Sequence, residues 1–242
     1  MKIKENKPGF AVRTFTFLLV FNSIIIISLS VSAQKSAIVT VLSKHGIDQG
    51  ILDLETVKVP EGYAYDIKQS TTAGGKTTIT EAKFDPSSPT EEQWTVRSVN
   101  GKSPSKGVIS SFRKERTKAQ KYPKIDDASY RIEKETSEEL VISYKFDATS
   151  LGKDVAFMKD CRTYMSVNPK KKKLSQLQTV NEKPVKVAIL NADKFELISK
   201  FVLHEQSKHY FPQLEKLNVQ AKFVGQPITI QTTTEFGNYI KK

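Results

Sequence analysis

Apolar and polar residues alternate with a period of two along most of this chain. The clearest runs cover residues 63–67, 140–146, 195–203, 217–223 and 228–236. In each run, apolar side chains share one face of a strand and mostly polar side chains share the other. Weaker runs bring the prediction to about ten or eleven strands, and they cover residues 37–42, 94–99, 163–167, 174–180 and 185–190. Short turns separate the runs, so the pattern predicts a largely antiparallel sheet with one wet face.

Two hairpins are predicted within this pattern. Gly74-Gly75 turns the first run back into residues 77–84, and residues 133–139 join Ile132 to the run that begins at Leu140. Many short antiparallel strands with one or two helices fit a closed barrel, a sandwich or one strongly curved sheet. The period alone leaves these three architectures open.

Two segments depart from the strand period. Ser103-Pro104 offers an N-cap and a proline at the first helical position, and residues 105–120 are rich in Lys, Arg and Glu. The apolar stripe of this predicted helix is narrow, so one face packs on the sheet and the other stays wet. Its members are Val108, Ile109, Phe112 and Ala119. A shorter helix is predicted at residues 151–160.

The N-terminus has the layout of a secretory signal peptide. Four basic residues precede the apolar run at residues 15–27, and a small-residue stretch ends at Ala33. We therefore predict a signal peptide over residues 1–33 and a single exported domain over residues 34–242, located in the periplasm. The apolar run is shorter than the ~20 residues of a spanning helix, which leaves an uncleaved anchor as the minor alternative. Cys161 is the only cysteine, so the domain is expected to be soluble rather than lipid-anchored and to form no internal disulfide.

The chain is basic, with a formal net charge of +12. Loss of the first 33 residues would remove four basic residues and one acidic residue and leave +9. This charge favours anionic partners such as a membrane surface or an acidic envelope protein, and export argues against nucleic acid. The candidate partner-facing or membrane-facing cations are Arg113, Lys114, Arg116 and Lys118 on the predicted helix, and Lys170, Lys171, Lys172 and Lys173 in a turn. A solvated turn is the plain alternative for the four lysines.

A short motif and the order of the elements resemble a known family. Trp94 is followed by Val99-Asn100-Gly101-Lys102 and Pro104, then by the basic helix, a hairpin, the lysine-rich turn and the stretch from Phe211-Pro212 to Tyr239. This layout is similar to the periplasmic outer-membrane lipoprotein-sorting (LolA/LolB-like) family. The resemblance implies a half-open β-barrel capped by helices, whose concave apolar face takes up acyl chains. It also implies an arginine that holds the cavity closed, for which Arg97, Arg131 and Arg162 are the possible positions.

An apolar concave face gains by covering acyl chains, at ~0.8 kcal/mol for each buried CH₂. The alternative for each lining residue is an ordinary core packed under the helix. The candidate ligand-binding residues are Trp94, Leu140, Ile142, Tyr144, Phe146, Phe195, Leu197, Phe201, Leu203, Leu217, Val219 and Phe223.

No catalytic signature stands out, so we expect a non-enzymatic protein without cofactor or metal. The His204-Glu205-Gln206-Ser207-Lys208-His209 run lacks the one-turn spacing of a zinc-protease helix, although a hairpin could bring its two imidazoles together. The expected function is binding or carriage of a lipid, an acyl chain or a lipidated protein in the cell envelope. The alternative is an interaction module with a filled core that docks on an envelope protein or an anionic membrane through its basic helix.

Overall fold

One antiparallel sheet of eleven strands forms most of the protein. The computed structural model describes residues 34–116 and 123–242. The predicted signal peptide, Lys118 and Ala119 therefore lie outside the described residues. The strands are β1 (Tyr63–Ala73), β2 (Lys76–Phe84), β3 (Trp94–Val99), β4 (Arg131–Glu135), β5 (Leu140–Tyr144), β6 (Cys161–Asn168), β7 (Lys173–Asn181), β8 (Val185–Val187), β9 (Leu190–His204), β10 (His209–Phe223) and β11 (Gln226–Lys241).

Helical elements are short by comparison. Helix α1 covers residues 34–44, and helix α2 covers Lys106–Arg116. The 3₁₀ helix occurs as single turns and one longer segment. Gln49–Leu52 and Leu54–Val57 lie between α1 and β1, and Asp127–Ser129, Ala148–Ser150 and Lys153–Asp160 lie between later elements. The prediction of a mainly β protein with helical segments is confirmed.

The strands follow one another in space with a single rearrangement. Their order is β3-β2-β1-β11-β10-β9-β7-β6-β5-β4, and β8 pairs with β9 beyond the end of β7. Every pairing is antiparallel, as predicted, and both hairpins form at the predicted turns. The rearrangement is that β1 pairs with β11, from Tyr63–Lys241 to Ala73–Ile230. The edges β3 and β4 are not paired with each other, so the sheet is not closed.

The three apolar core clusters lie on one face of this sheet, which we call the inner face. Cross-strand pairs such as Phe195–Val219 and Val219–Ile230 place these apolar side chains on the same side of neighbouring strands. The opposite face carries mostly polar residues, such as Gln178, Lys216 and Gln231. The predicted alternation therefore describes one packed face and one wet face.

Residues 37–42 were expected to form a strand, and this expectation is wrong because they belong to α1. The segment contains Ile38 and Leu42, which are spaced by four and are 1% and 0% exposed, whereas Thr40 between them is exposed. This burial follows the helical period, which puts residues i and i+4 on one stripe. A six-residue apolar run is too short for its composition to separate the two periods.

Helix α2 also begins later than its sequence suggests. The cap is Ser105, whose Oγ accepts a hydrogen bond from the Val108 backbone N–H at 3.4 Å, rather than Ser103. Val108 was expected to pack on the sheet but is 42% exposed. The packed positions are Ile109 and Phe112, which are half-buried against β3 and its neighbours.

We expect Leu42→Ala to lower the free energy of unfolding by about 2–5 kcal/mol, because it removes a fully buried side chain and leaves a cavity under α1. Urea unfolding at constant pH measures this difference. The matched control is Val108→Ala on the exposed side of α2, which should change stability by about 0.5 kcal/mol or less. A Leu42→Ala effect as small as that of the control would contradict the packing of α1 on the inner face.

Candidate functional site

The part of the inner face beneath α1 is filled by protein. Leu140, Ile142 and Tyr144 are each 0% exposed and pack in one cluster with Ile38 and Leu42. We call this group the α1 cluster. Phe146, Phe201 and Leu203 are half-buried against it. Six of the predicted ligand-binding residues thus lie in or beside a closed core.

The space around Trp94 is also occupied by protein side chains. Its ring is 5.2 Å from Phe84, 5.6 Å from Phe112 and 5.7 Å from Tyr65, measured between centroids. The guanidinium of Arg116 lies 5.4 Å from the Trp94 ring centroid, a favourable cation–π distance. Arg113 Nε donates a 2.8 Å hydrogen bond to the Trp94 carbonyl. Trp94 therefore anchors α2 to the sheet, in a second group that we call the α2 cluster.

A third apolar group lies near the ends of β9 and β10 and is only partly covered. Phe195 and Val219 are 5% and 3% exposed, and the Phe157 ring of the last 3₁₀ segment lies 5.0 Å from that of Phe195. We call this group the tip cluster. Leu197 and Leu217 are half-buried beside it, and Phe223 is 46% exposed. The half-buried side chains of β11 that continue this surface are Ile228 and Ile230.

A polar belt crosses the inner face between the three clusters. The strand register puts Ser199, Glu215, Thr234 and Gln69 in one row across β9, β10, β11 and β1. Gln69 Nε2 donates to Thr234 Oγ1 at 3.4 Å. The next row contains Leu197 and Leu217 and continues into Thr232 and Thr71, whose hydroxyl groups are 3.1 Å apart. Apolar and hydrogen-bonding side chains therefore meet within about 7 Å, the spacing of two residues along a strand.

Glu215 is the charged residue of this belt. Burial raises the pKa of its carboxyl group above the ordinary value of 4.5, and the positive charge of Arg116 at the end of α2 opposes this rise. Sequence reasoning missed Glu215, although it continues the inward period of Leu217 and Val219. A charged residue at an apolar-facing position was the available signal.

The predicted basic surface on α2 borders a cavity of about 750 Å³. The cavity lies between α2 and residues 90–91, and its lining residues are Thr90, Glu91, Lys106, Ile109, Ser110, Arg113 and Lys114. Arg113 and Lys114 thus share one surface, whereas Arg116 points to Trp94. This grouping adds Lys106, which was not predicted.

The lysine-rich turn between β6 and β7 is separate from these features. It lies at the end of the sheet where β9 finishes and β10 begins. Lys170 forms an ion pair with Glu138, and Lys173 forms one with Glu205 at 2.5 Å. Lys171 and Lys172 are exposed.

The three candidate arginines all lie on the outer face, which is the face of the sheet opposite the inner face. Arg97 forms an ion pair with Asp66 at 3.1 Å, and Arg131 pairs in register with Ser143. Arg162 is 4% exposed and its Nε donates to Glu182 Oε1 at 3.0 Å.

The hairpin between β9 and β10 does bring His204 and His209 into register. His204 Nδ1 lies 2.9 Å from Ser207 Oγ. Across residues 34–116 and 123–242, no group of three His, Cys, Asp or Glu side chains could hold a metal ion. Burial raises the pKa of the Cys161 thiol to about 11, which disfavours the reactive thiolate.

We expect Glu215→Gln to raise the free energy of unfolding at pH 8 and to change it little at pH 4. A raised pKa stabilises the folded state fully below pH 4.5, and this contribution is lost as the pH rises through the higher folded-state value. A neutral amide avoids that loss, which amounts to about 1.4 kcal/mol per unit of pKa shift. Urea unfolding across this pH range measures the difference. Glu235→Gln on an exposed position of β11 is the matched control, and equal gains in both variants would contradict a buried Glu215.

In the part of the chain that the structure describes, no helix is long and apolar enough to cross a membrane. The chain matches no family model, no curated protein and no solved structure.

Proposed function

We propose that this protein is a non-catalytic, exported carrier that binds an acyl chain on the uncovered part of its inner face. In this proposal the sheet curves into a half-open barrel, as the resemblance to the lipoprotein-sorting family implies. The observation that supports this proposal is a band of half-buried apolar side chains that α1 and α2 leave uncovered. Its members are Leu197, Leu217, Ile228 and Ile230, with Phe223 exposed at its end.

The size of this band suits one acyl chain. Along β10 it runs from Leu217 to Phe223, a span of about 20 Å at ~3.4 Å per residue. One leaflet of a bilayer is about 15 Å deep in hydrocarbon, half of the ~30 Å core. A chain of that length covers about three quarters of the band and gains ~0.8 kcal/mol for each CH₂ removed from water.

The polar belt favours a ligand with a polar head. Thr232 lies in the same row as Leu217, and Ser199 and Thr234 lie in the next row of the inner face, so their hydroxyl groups can hydrogen-bond an ester or a headgroup. An acyl chain with its tail toward Phe223 would place its head at this belt. The proposed site is therefore displaced from residues 140–146, which the α1 cluster occupies, toward β9, β10 and β11.

A second candidate function is docking on an acidic partner through α2. The observation that favours it is the 750 Å³ cavity bordered by Lys106, Arg113 and Lys114. Binding of this kind is electrostatic and should weaken as salt screens the cations. Acyl-chain binding to the band should be nearly independent of salt.

We expect the protein to take up a fluorescent fatty acid saturably, and Leu217→Gln to weaken this binding at least tenfold. The substitution puts an amide in the centre of the apolar band, where desolvation of the amide opposes binding. Fluorescence titration at low and high salt measures the dissociation constant, and urea unfolding checks that the variant remains folded. Ile240→Gln is the matched control, because Ile240 is 56% exposed at the other end of β11.

Absence of saturable uptake by the unmodified protein would refute the carrier proposal. If Lys114→Glu loses uptake at low salt while Leu217→Gln binds the fatty acid as the parent does, the binding site lies at the α2 cavity instead.

A further inference from the structure

Two neighbouring hairpin tips hold the most exposed large apolar side chains in the described part of the chain. Ile189, in the β8–β9 turn, is 73% exposed, and Val224, in the β10–β11 turn, is 86% exposed. Phe223 next to it is 46% exposed. Exposed apolar side chains are common singly, but neighbouring ones at the same end of a sheet indicate an interaction surface.

The strand register places these two tips side by side. Asn191 pairs with Lys186 on β8 and with Lys222 on β10. Ile189 and Val224 each lie two residues beyond this row, so they reach the same height. Two strand spacings separate the hairpins, which is about 10 Å.

The β10–β11 hairpin also projects past its other neighbour. The last residue of β1, Ala73, pairs with Ile230, whereas β11 begins four residues earlier at Gln226. At ~3.3 Å per residue, the hairpin extends about 13 Å beyond β1. The two apolar tips therefore form a protruding edge that a flat surface can reach.

At this edge, lysines lie on the outer side of the sheet and apolar side chains lie on the inner side. Lys186 and Lys222 are exposed and lie in the outward-facing row with Asn191. Lys222 has an acidic neighbour, Asp193, at 3.8 Å. Phe223 and Leu190 lie on the inner side and continue the tip cluster toward the end of the sheet. Apolar tips beside lysines match a bilayer with anionic headgroups, in which apolar side chains enter the acyl boundary and cations meet phosphates.

The backbone at Val224 carries strain that another residue would relieve. Val224 and Gly225 have φ values of 48° and 78°, as in a two-residue turn that favours Asn-Gly. A β-branched residue in the left-handed region is unfavourable. An exposed valine that keeps such a conformation indicates a role for its side chain outside the fold.

We propose that these two tips dock the protein on an anionic lipid bilayer, with Val224, Ile189 and Phe223 inserted and with Lys186 and Lys222 at the headgroups. This inference goes beyond the proposed function, because docking requires no ligand on the inner face. It also connects with that function, since Phe223 joins the docked edge to the apolar band.

The test is binding of the purified protein to vesicles made of equal parts phosphatidylglycerol and phosphatidylcholine. We expect Val224→Asn to weaken vesicle binding at least tenfold in a co-sedimentation assay. Asn suits the left-handed conformation, so the variant should unfold at the same or a higher urea concentration than the parent. Ile189→Asn should show the same loss of binding. Ile240→Asn, at the opposite end of the sheet, is the control and should bind as the parent does.

Unchanged vesicle binding in both Val224→Asn and Ile189→Asn would overturn the inference. Equal binding of the parent to pure phosphatidylcholine vesicles would overturn the role of the lysines. A parent that is a dimer by light scattering, does not bind vesicles and becomes monomeric in Val224→Asn would make the tips a contact between copies instead. Fatty-acid uptake that persists in Val224→Asn while vesicle binding is lost would separate docking from acyl-chain binding.

Discussion

The structure depends on the burial of one apolar sheet face by elements of the same chain. A sheet with one apolar face is stable only if something removes that face from water. Here α1 covers the strands around β5 and β6, α2 covers β1 to β3, and the Lys153–Asp160 segment covers the start of β9. The 3₁₀ turns at Gln49–Leu52 and Leu54–Val57 add to the cover of α1, and the second of them contacts β10. A strip that contains Leu197, Leu217, Ile228 and Ile230 stays half-buried. This strip is half-exposed to water, and it is where we propose that the acyl chain binds.

The polar belt places hydrogen-bonding side chains beside this apolar strip. Threonine and serine hydroxyls can pair with one another across strands, as Thr163 and Thr179 do at 2.9 Å, so the belt satisfies itself without breaking the sheet. Glu215 differs because it carries an ionisable carboxyl group, and the positive charge of Arg116 on α2 opposes the rise in its pKa. A charge on the helix that covers Trp94 therefore acts on a carboxyl group at the centre of the inner face. A change in the position of α2 changes the environment of Glu215 directly.

Local pattern predicted the strands well because the information needed for them is local. Alternation located the hairpins at Gly74-Gly75 and before Leu140, and it assigned the inward residues of β9 and β10 correctly. The prediction for residues 37–42 was wrong because five apolar residues and one threonine fit both periods, and only packing on β5 and β6 selects the helix. The β1–β11 pairing was outside the reach of pattern, since nothing in either strand specifies a partner so distant in sequence. The same limit applies to the candidate site: apolar lining residues were recognisable, but which of them α1 would cover was not.

The β1–β11 pairing has a consequence for the order in which the molecule assembles. The three hairpins that join β8 through β11 need only neighbouring residues, and such contacts form early. The ladder from Tyr63–Lys241 to Ala73–Ile230 instead joins strands that are at least 157 residues apart in sequence (230 − 73). Closing a long loop costs only ~0.6 kcal/mol more for each doubling of its length, but pairing at such separation is slow. We therefore expect the β1–β3 unit, together with α2, to join last, and until β1 pairs with β11 the edge of β11 stays unpaired and open to its surroundings.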